Sequence, residues 1–291
     1  MPIRINFCSM KGRILVTGSS GFIGTNLLKR LKANNYEVFT FDMEDGDIAT
    51  AEFNYEKLDH IIHLASRTYV PASWENPLDF YRTNTLGTTN ILDLCRKQGC
   101  SLTYVSSYVY GTPQYLPVDE NHPVAPVSPY NHSKLVAEDI CRFYSEQFGV
   151  PVTILRPVNI FGPNQNPSFL IPFIIEQVLN PEVNTVEVMD LRPKRDFLYI
   201  DDFMDVLVGT IGRKNYGLYN VGSGYSVSVE EIIKTVLDIS GIDKPYLAKN
   251  IERKNEVWDV YVSIAKATAE LGWKPRTTFA EGIEKIINTL R

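Results

Sequence analysis

The amino-acid sequence predicts an α/β fold in which a doubly wound parallel sheet carries the ligand site. Short apolar segments rich in β-branched residues alternate with segments of helical periodicity over residues 12–155. The first apolar segment runs directly into a glycine-rich turn, and polar residues follow the ends of two later segments. Strands that alternate with helices form βαβ units, whose parallel strands bind ligands at their carboxyl ends.

The first unit predicts a Rossmann-type dinucleotide site. The strand Arg13–Thr17 precedes a glycine turn, and a helix is expected over Thr25–Ala33. Glycines allow a tight turn and the close approach of a pyrophosphate, which then lies at the helix N-terminus. Three glycines at this spacing can also form a simple turn, but the strand–turn–helix context favours a dinucleotide. The expected cofactor-binding residues of this turn are Gly18, Gly21, Phe22, Ile23 and Gly24.

The end of the second strand, Glu37–Phe41, predicts the choice of cofactor. Asp42 follows this strand directly. A carboxylate there can accept both ribose hydroxyls of adenosine and would repel a 2′-phosphate, which favours NAD over NADP. One alternative is that Asp42 belongs to an exposed acidic loop, and another is that the short spacer lets Asp47 take this role and leaves Asp42 in solvent. We also expect Asp47 and Ile48 to flank the adenine.

The remaining elements of the first part continue the alternation of strands and helices. Asn84 and Ser106 lie at or just beyond predicted strand ends, where a ligand would bind. His60 and His63 lie three residues apart in one strand, so they face opposite sides and are expected to be structural. The strands are expected at Leu58–Ala65, Leu102–Ser107 and Val152–Leu155, and the helices at Asn84–Lys97 and Ser133–Phe148.

Tyr130 and Lys134 form the candidate acid–base pair. Residues four apart share one face of a helix, so the two side chains are expected to point the same way. An ammonium near a phenol favours the phenolate and lowers its pKa from ~10 toward the range of a general base. The alternative is a surface pair with no function, because this spacing is common.

The sequence after Arg156 predicts a second, smaller substrate-binding region. We expect the Rossmann domain to comprise residues 12–155 plus about 196–235, and the substrate domain 156–195 plus about 236–291. Ser228 is expected to cap a helix with Glu231 three residues on. Strands are expected at Arg195–Asp202 and Tyr219–Gly224, and helices at Ile171–Leu179, Ser228–Ser240 and Thr278–Leu290.

Composition narrows the class of protein. A net charge of −5 and a pI near 5.5 indicate neither a nucleic-acid surface nor binding to an anionic membrane. No apolar run reaches the ~18 residues of a membrane span, and the first eleven residues show no signal-peptide pattern. The four cysteines lack metal-ligand spacing. We therefore expect a cytoplasmic protein with free thiols and no metal.

Several segments together resemble the extended short-chain dehydrogenase/reductases that act on nucleotide-diphosphate sugars, including UDP-glucose 4-epimerase. The resemblance runs in unbroken order from Gly12 to the C-terminus. Its segments are Thr17-Gly18-x-x-Gly21-Phe22-Ile23-Gly24, Ile62-His63-Leu64-Ala65, Asn84-x-x-Gly87-Thr88, Ser106-x-x-x-Tyr110-Gly111, Tyr130-x-x-x-Lys134, Leu155-Arg156-Pro157-x-Asn159-x-Phe161-Gly162-Pro163, Arg195-Asp196-Phe197-x-Tyr199-Ile200-Asp201-Asp202, Asn220-Val221-Gly222-Ser223-Gly224 and Leu271-Gly272-Trp273-x-Pro275.

The resemblance implies a role for each matching residue. Tyr130 would be the general base and acid, Lys134 would bind the nicotinamide ribose and lower the pKa of Tyr130, and Ser106 would hydrogen-bond the reacting sugar oxygen. Further contacts to the cofactor are implied for Leu64, Ala65, Asn84 and Pro157. Contacts to the nucleotide and its phosphates are implied for Asn159, Arg195 and Arg253. The last of these lies in a charged run and could instead be solvated.

The residues after Ser106 narrow the set of reactions that the resemblance implies. Family members that eliminate water or carbon dioxide carry an acidic residue in one of the next two positions, which are Ser107 and Tyr108 here. A 4-epimerase that recycles NAD through a transient 4-keto sugar is therefore expected, and a 4-keto-sugar reductase is the alternative. Asp42 favours the epimerase, whereas the short Asp42–Asp47 spacer and the short chain favour the reductase.

Two further expectations concern the class of protein and its assembly. A non-catalytic dinucleotide sensor would usually lack the Tyr130–Lys134 pair, so the sequence favours an enzyme. The helices at Asn84–Lys97 and Ser133–Phe148 match those that form a four-helix dimer interface in relatives, and both carry more apolar residues than one buried face needs. We therefore expect a homodimer with two-fold symmetry.

Overall fold

The computed structural model describes residues 10–251 and 256–290, which form two compact units. The first unit contains residues up to Val109 together with Pro126–Leu155 and Leu207–Leu218. The second contains Tyr110–Ala125, Arg156–Val206 and Tyr219 onward. The two units are described separately below.

The described residues contain thirteen strands and ten α-helices, numbered in chain order. The strands are β1 (Arg13–Thr17), β2 (Glu37–Phe41), β3 (His60–His63), β4 (Ser101–Val105), β5 (Val152–Pro157), β6 (Asn159–Phe161), β7 (Val186–Val188), β8 (Lys194–Arg195), β9 (Phe197–Tyr199), β10 (Gly217–Val221), β11 (Val227–Ser228), β12 (Tyr246–Ala248) and β13 (Asp259–Val260). The helices are α1 (Phe22–Ala33), α2 (Val70–Glu75), α3 (Pro77–Phe80), α4 (Gly87–Gln98), α5 (Pro129–Phe148), α6 (Leu170–Leu179), α7 (Ile200–Gly209), α8 (Val229–Ser240), α9 (Ala265–Leu271) and α10 (Phe279–Leu290), and a π-helical segment, Tyr81–Leu86, joins α3 to α4.

The central sheet confirms the predicted α/β class. It has six strands in the order β10-β5-β4-β3-β1-β2, and the pairs that join β5, β4, β3, β1 and β2 are parallel. The chain passes from β1 to β2 on one side and then returns to β3 on the other. Such a reversal of strand order opens a crevice at the carboxyl ends of the strands, which is where doubly wound folds bind ligands.

The strand register brings the ends of four strands level with one another. Thr17 at the end of β1 lies opposite Phe41 on one side and His63 on the other, and His63 lies opposite Tyr104. The residues that follow these strands therefore meet at one edge of the sheet. They are the glycine turn after β1, Asp42 after β2, Leu64 after β3 and Ser106 after β4.

The second unit is built from short strands and amphipathic helices. β6 pairs in parallel with β9, β8 pairs with both β11 and β13, and β7 pairs with β12. Phe161, Phe197 and Phe279 form an aromatic cluster in its core. Gly282 of α10 is required there, because a Cβ atom would lie 2.6 Å from the Phe161 ring. The predicted cap of α8 is confirmed, since Ser228 and Glu231 form a capping box.

Several element boundaries differ from the prediction. The expected strand Arg195–Asp202 is two short strands followed by α7, which begins at Ile200. Because β9 pairs with β6 and packs against α10, residues 196–206 belong to the second unit rather than to the Rossmann domain. Residues 110–125 also join the second unit, as do residues 219–235, and only 207–218 return to the first.

Three helices of the first unit also begin at residues other than those expected. α1 begins at Phe22 instead of Thr25. α5 begins at Pro129 instead of Ser133, because Ser128 caps it and proline is well suited to the first helical position. The predicted helix Asn84–Lys97 is π-helical up to Leu86 and α-helical from Gly87. Within the described residues, no helix is both long enough and apolar enough to cross a membrane.

Candidate active site

The glycine turn between β1 and α1 is shaped by close backbone contacts at two of its glycines. Gly18 has φ +71°, and a Cβ atom there would lie 2.7 Å from the backbone nitrogen of Ala65. A Cβ atom on Gly24 would lie 2.4 Å from the carbonyl oxygen of Gly18. Gly18 must therefore be glycine for the turn to pack against the segment after β3, and Gly24 must be glycine for α1 to pack against the turn itself.

Gly21 differs from the other two glycines because no contact among the described residues requires glycine at this position. Its φ of −74° is open to any residue, and the nearest atom to an added Cβ is 3.5 Å away, an ordinary contact distance. Gly21 is exposed and is the N-cap of α1, where no described side chain caps the helix and no acidic residue lies in the first turn. A helix start without such partners attracts an anion, and the missing side chain leaves space for one. The residues present therefore fit a dinucleotide pyrophosphate.

Asp42 is held against this turn by two serines. Its carboxylate accepts hydrogen bonds from Ser19 Oγ at 2.5 Å and from the backbone nitrogen and Oγ of Ser20, both at 3.0 Å. Partial burial alone would raise the pKa of Asp42, but the hydrogen bonds from Ser19 and Ser20 together lower it below its usual value. The group therefore carries its negative charge beside the glycine turn at neutral pH.

Asp47 and Ile48 occupy different surroundings from Asp42. Asp47 is exposed and pairs with Arg82, whose Nε lies 2.6 Å from its carboxylate. Ile48 is buried in the core of the first unit, and a Cβ atom on Gly87 would lie 2.6 Å from its side chain. The role of both residues beside the adenine stays a prediction.

The segment after β3 is fixed by hydrogen bonds to β1. The backbone nitrogens of Leu64 and Ala65 donate to the backbone and side-chain oxygens of Thr17, at 3.1 and 3.2 Å. His63 bonds through Nδ1 to Thr17 Oγ1 at 2.6 Å and is buried, and burial lowers its pKa to about 3. His63 is therefore neutral and structural, as the sequence predicts, and so is the buried His60.

Asn84 connects the same segment to α5. Its Oδ1 accepts from Ser66 Oγ and from the backbone nitrogen of Arg67, and its Nδ2 donates to the Arg67 carbonyl and to Ser133 Oγ. The side chain is buried and is bonded to the protein through both amide atoms. Its π-helical segment is a conformation that often marks functional sites. In this structure Asn84 therefore joins the segment after β3 to the side chain of Ser133, the residue before Lys134.

The start of α5 is tied to the loop after β4, which brings Tyr130 and Ser106 into one region. Ser128 Oγ accepts from the backbone nitrogen of Asn131 at 3.1 Å and donates to its Oδ1 at 2.6 Å. Asn131 Nδ2 then donates to the carbonyl of Tyr108 at 3.0 Å. The capping residue therefore fixes both the first turn of the helix and its register against the loop.

Lys134 is buried beneath this site with only 3% of its surface exposed. Its Nζ donates to the carbonyl oxygen of Val105 at 2.6 Å and lies 4.5 Å from the centre of the Tyr104 ring. Burial lowers the pKa of Lys134 to about 7, although the neighbouring Glu138 and Cys141 act in the opposite direction. The ammonium is thus close to its titration point at neutral pH.

The pKa of Tyr130 differs from the expectation. The side chain is partly exposed, but its phenol group is enclosed by protein, and this burial raises its pKa above 10. A hydrogen bond with the Ser107 side chain lowers it only in part. Lys134 does not lower the pKa of Tyr130 in this structure; its Nζ donates to Val105 and lies over the Tyr104 ring instead.

Ser106 has a partner that the sequence reasoning missed. Its hydroxyl donates to a carboxylate oxygen of Glu138, which is four residues after Lys134 on α5. Both residues are buried, at 4% exposure each, and the backbone nitrogen of Ser106 is fixed by the Leu155 carbonyl at 2.8 Å. The i, i+4 spacing that identified the Tyr130–Lys134 pair could have been extended by one more turn to find Glu138.

In the second unit, the predicted substrate residue Asn159 stands at the start of β6. It is exposed, and its Nδ2 donates to the backbone carbonyl of Asp196 at 3.0 Å. The Asp196 carboxylate in turn accepts from the backbone of Ser223, Gly224 and Val262, which fixes the turn after β10. Burial raises the pKa of Asp196 despite these hydrogen bonds.

The predicted phosphate-binding Arg195 is held within the second unit by an ion pair. Its guanidinium donates to the carboxylate of Glu256 and the carbonyl of Val257, both at 2.5 Å. Those two residues line a cavity of 380 Å³ together with Thr112–Leu116, Trp258 and Asp259. Pro157 ends β5, and Arg253 lies outside the described residues.

Comparison with known proteins identifies the family. The profile of the NAD dependent epimerase/dehydratase family matches residues 14–222, which is more than half of the chain. The chain belongs to this family. The resemblance expected from the sequence motifs is confirmed, and the matched region includes the glycine turn, Ser106 and the Tyr130–Lys134 pair.

Individual relatives of this family member cover nearly its whole length. A putative UDP-glucose 4-epimerase of Methanocaldococcus jannaschii is 34% identical over 96% of this chain and 98% of that protein. The GDP-6-deoxy-D-mannose reductase of Pseudomonas aeruginosa is 31% identical over 96% and 97%. A solved UDP-glucose 4-epimerase of Thermotoga maritima, with UDP-glucose, has a TM-score of 0.84 and 25% identity, covering 96% and 98%. Solved structures of the same fold are described with NAD and with NADPH.

Proposed function

We propose that this protein is an NAD-dependent epimerase that inverts C4 of a nucleotide-diphosphate sugar through a transient 4-keto intermediate. The observation that carries this proposal is the position of the Asp42 carboxylate, which Ser19 and Ser20 hold against the glycine turn. A 2′-phosphate at the adenosine ribose would meet this negative charge, so the site favours NAD. A cofactor that is reduced and reoxidised in place is what an epimerase needs.

The roles of the site residues follow from their chemistry. NAD, when bound, supplies reversible acceptance of a hydride from the carbinol carbon. Tyr130 takes the hydroxyl proton as the carbon is oxidised and returns it when the ketone is reduced. Ser106 hydrogen-bonds the reacting oxygen, and Lys134 stabilises negative charge that develops beside it. Inversion also requires the ketone to rotate in the site before the hydride returns.

Elimination of water or carbon dioxide is disfavoured by the residues around Ser106. Ser107 and Tyr108 follow it, so the acid expected for elimination is missing at those two positions. Glu138 does contact Ser106, but it is buried and bonded to that hydroxyl. Neither the two positions after Ser106 nor Glu138 therefore offers an exposed carboxylate for a leaving group.

A 4-keto-sugar reductase is the second candidate. The relative at 31% identity is named a GDP-6-deoxy-D-mannose reductase, and the loop between Asp42 and Asp47 is as short as the sequence suggested. A reductase would use reduced cofactor once in each turnover, which suits NADPH. The charge of Asp42 is the observation that places this candidate second.

We assign substrate contacts to the second unit. Asn159, Arg195 and Arg253 are proposed to hold the nucleotide and its phosphates, and Pro157 to contact the cofactor. A guanidinium fork suits a pyrophosphate because it can donate two parallel hydrogen bonds. For Arg195 this would mean exchanging Glu256 for the phosphate as its partner.

The test is an incubation of the purified protein with UDP-glucose and catalytic NAD, analysed by chromatography for the C4 epimer. We expect epimer to accumulate to equilibrium without net formation of NADH, and Tyr130→Phe to show none. The reductase would instead leave UDP-glucose unchanged and consume NADH or NADPH in proportion to an added 4-keto sugar. That second pattern would replace the proposal.

We also propose a homodimer formed through α4 and α5. Leu86 precedes α4 with 56% of its surface exposed, and Phe143 on α5 has 55% exposed, so both offer apolar area to a second copy. Light scattering at micromolar concentration should give the mass of two chains, and Phe143→Arg should give one. Leu247→Arg, at a similarly exposed apolar position in the second unit, should stay dimeric. A monomeric wild type would contradict the proposal.

A cytoplasmic location is proposed from the cysteines. Cys95, Cys100 and Cys141 are free thiols buried in the first unit. Unpaired cysteines are typical of proteins in reducing compartments. Fractionation of the source cells should place the protein with cytoplasmic markers.

A further inference from the structure

Tyr104 is a buried aromatic residue that none of the roles described so far uses. It lies on β4, only 1% of its surface is exposed, and the Lys134 Nζ atom lies 4.5 Å from the centre of its ring. A cation within about 6 Å of a ring centre is attracted by the electron-rich face, and the attraction is strongest where water is excluded. Because Lys134 is itself buried, the contact is of this strong kind.

The parallel register of the sheet explains why the Tyr104 ring lies in this place. Tyr104 pairs with His63 of β3 on one side and with Ile154 of β5 on the other. Side chains alternate between the two faces along each strand, so residues paired in neighbouring parallel strands share a face. The Tyr104 and His63 rings are accordingly close, with their centres 5.8 Å apart and their planes tilted by 31°. The ring that contacts Lys134 therefore packs against a neighbouring strand.

Hydrogen bonds keep His63 neutral in this position. The Thr88 hydroxyl donates its one proton to a backbone carbonyl at 2.6 Å, so it can only accept from His63 Nε2, which lies 3.0 Å away. Nε2 therefore carries the ring proton, and Nδ1 accepts the proton of Thr17 Oγ1 at 2.6 Å. An imidazole that donates with one nitrogen and accepts with the other is uncharged. His63 therefore does not repel the Lys134 ammonium.

The Tyr104 ring and a backbone carbonyl together hold the Lys134 ammonium. A lysine ammonium has three N–H donors, and the Val105 carbonyl accepts from one of them at 2.6 Å. The ring face attracts the charge as a whole and supplies no lone pair, so it restrains Nζ without the strict geometry of a second acceptor. Because Tyr104 and Val105 are consecutive residues of β4, one strand sets the position of the ammonium. Donor capacity remains for a hydroxyl group of a ligand.

We propose that Tyr104 is a positioning residue of the active site, whose ring face holds the Lys134 ammonium where it can donate to a hydroxyl of the nicotinamide ribose. This inference rests on the proposed function, because it assumes that Lys134 binds the cofactor, and it deepens that function. Tyr104 acts only through Lys134. The chemical requirement is an aromatic face, which phenylalanine provides and leucine does not.

The experiment compares three variants, Tyr104→Leu, Tyr104→Phe and Phe39→Leu. The first removes the ring and the second removes only its hydroxyl. The third is the matched control, since Phe39 packs against the same core and its ring lies 5.0 Å from the Arg13 guanidinium, another cation of the first unit. Thermal unfolding shows whether each variant is folded. Tyr104→Met, whose flexible side chain fills irregular space, replaces the leucine variant if that one does not fold.

The first measurements are NADH affinity, by fluorescence titration, and kcat/KM. We expect Tyr104→Leu to weaken NADH binding and to lower kcat/KM at pH 7, each by about tenfold or more, because a desolvated contact between a cation and a ring is lost. Tyr104→Phe should stay close to the wild type in both measurements. Phe39→Leu should lower the melting temperature, since it removes packing from the core, but should leave both measurements unchanged.

A direct titration of Lys134 makes the test independent of turnover. The Cε signals of ¹³C-labelled lysine are followed against pH by NMR, and Lys134→Arg identifies the Lys134 signal by its loss. The ring face stabilises the charged form, so the midpoint should fall by about one pH unit in Tyr104→Leu and stay in place in Tyr104→Phe. The variants leave unchanged the other titratable groups that the described residues place near Lys134, which are Tyr130, Glu138 and Cys141 on α5 and His63 on β3.

The outcomes separate this inference from the proposed function. If the wild type epimerises no sugar but NADH affinity and the Lys134 midpoint still depend on the ring, the proposed reaction fails and the role of Tyr104 stands. If Tyr104→Leu is folded and keeps the wild-type NADH affinity and Lys134 midpoint, Tyr104 is only a core residue and the inference fails. It also fails if Tyr104→Phe loses as much as Tyr104→Leu, or if Phe39→Leu moves the Lys134 midpoint as far.

Discussion

Alanine substitutions at two of the turn glycines, Gly21 and Gly24, should separate binding from folding. Gly21→Ala adds a methyl group whose nearest protein atom is 3.5 Å away, so the folded chain accepts it without strain. Losing glycine at a helix N-cap in exchange for alanine costs at most ~1 kcal/mol, which lowers Tm by about 2–4 °C in a protein of this size. The methyl group, however, fills the space in which a pyrophosphate would approach the start of α1.

The expected effect of Gly21→Ala on cofactor affinity is large. A charge-assisted hydrogen bond from a backbone nitrogen to a phosphate is worth about 1.5–3 kcal/mol, so losing one should weaken NADH binding by roughly tenfold to a hundredfold. Gly24→Ala should instead destabilise the fold by ~1–3 kcal/mol or more, because its Cβ would lie 2.4 Å from the Gly18 carbonyl.

The assay pairs NADH fluorescence titration with thermal unfolding for each variant. Gly209→Ala is the matched control, since an added Cβ there meets no atom within 4 Å and Gly209 is exposed at the end of α7. It should bind NADH as the wild type does and melt at the same temperature or slightly higher. Wild-type NADH affinity in a folded Gly21→Ala protein would show that no dinucleotide lies on this turn.

Three further predictions concern Asp42, Tyr130 and Lys134. The Asp42 carboxylate and the 2′-phosphate of NADPH, if ~4 Å apart, would repel by about 4 kcal/mol at an effective dielectric constant of 20. Solvent reduces this repulsion, so NADH should bind about ten- to a hundredfold tighter than NADPH. Asp42→Ala should narrow that ratio in fluorescence titrations, and equal affinities in the wild type would favour the reductase. Tyr130→Phe should lower kcat by ~10²–10⁴ with an unchanged melting temperature, and retention of a tenth of wild-type kcat would refute its role. If the active form needs Tyr130 deprotonated and Lys134 charged, kcat/KM should rise tenfold per pH unit below about 7, because deprotonated Tyr130 becomes more abundant. Above about 7 the loss of the Lys134 proton offsets this increase, so kcat/KM should level off. Lys134→Arg keeps its charge, so its profile should continue to rise past pH 7, and a plateau in that variant would contradict the assignment.

Local patterns in the sequence were sufficient to predict the central sheet and to identify the family. Strands β1, β2 and β5 and the helix after the glycine turn follow from the alternation of apolar segments and from glycine spacing, which are properties of neighbouring residues. The capping box of α8 was predicted for the same reason, since its partners are three residues apart. The split of Arg195–Asp202 into two short strands and a helix was missed, because β9 owes its strand conformation to pairing with the distant β6.

Tertiary structure decided the pKa values of the candidate catalytic groups. Helical spacing predicts that Tyr130 and Lys134 share a face, but it cannot show which carbonyl the ammonium contacts or how deeply the phenol is enclosed. In the folded chain, Lys134 bonds to Val105 and Tyr130 has a raised pKa, which reverses the expected effect. Hydrogen bonds and desolvation depend on residues far apart in the chain, so the sequence identifies candidate groups and the packing sets their pKa values.

The same division between local sequence patterns and tertiary packing applies to the residues that support the site. The sequence identified Ser106, Asn84 and Asp42 as polar groups after strand ends, because that property is local. Their partners, such as Glu138 for Ser106 and Ser133 for Asn84, come from α5, more than thirty residues away in the chain. Only the folded α5, lying beside β4 and the π-helical segment, brings these groups within hydrogen-bonding distance. The sequence by itself determined the chemistry available at the sheet edge, and tertiary packing decided which hydrogen bonds orient it, because those bonds form only after the chain has folded.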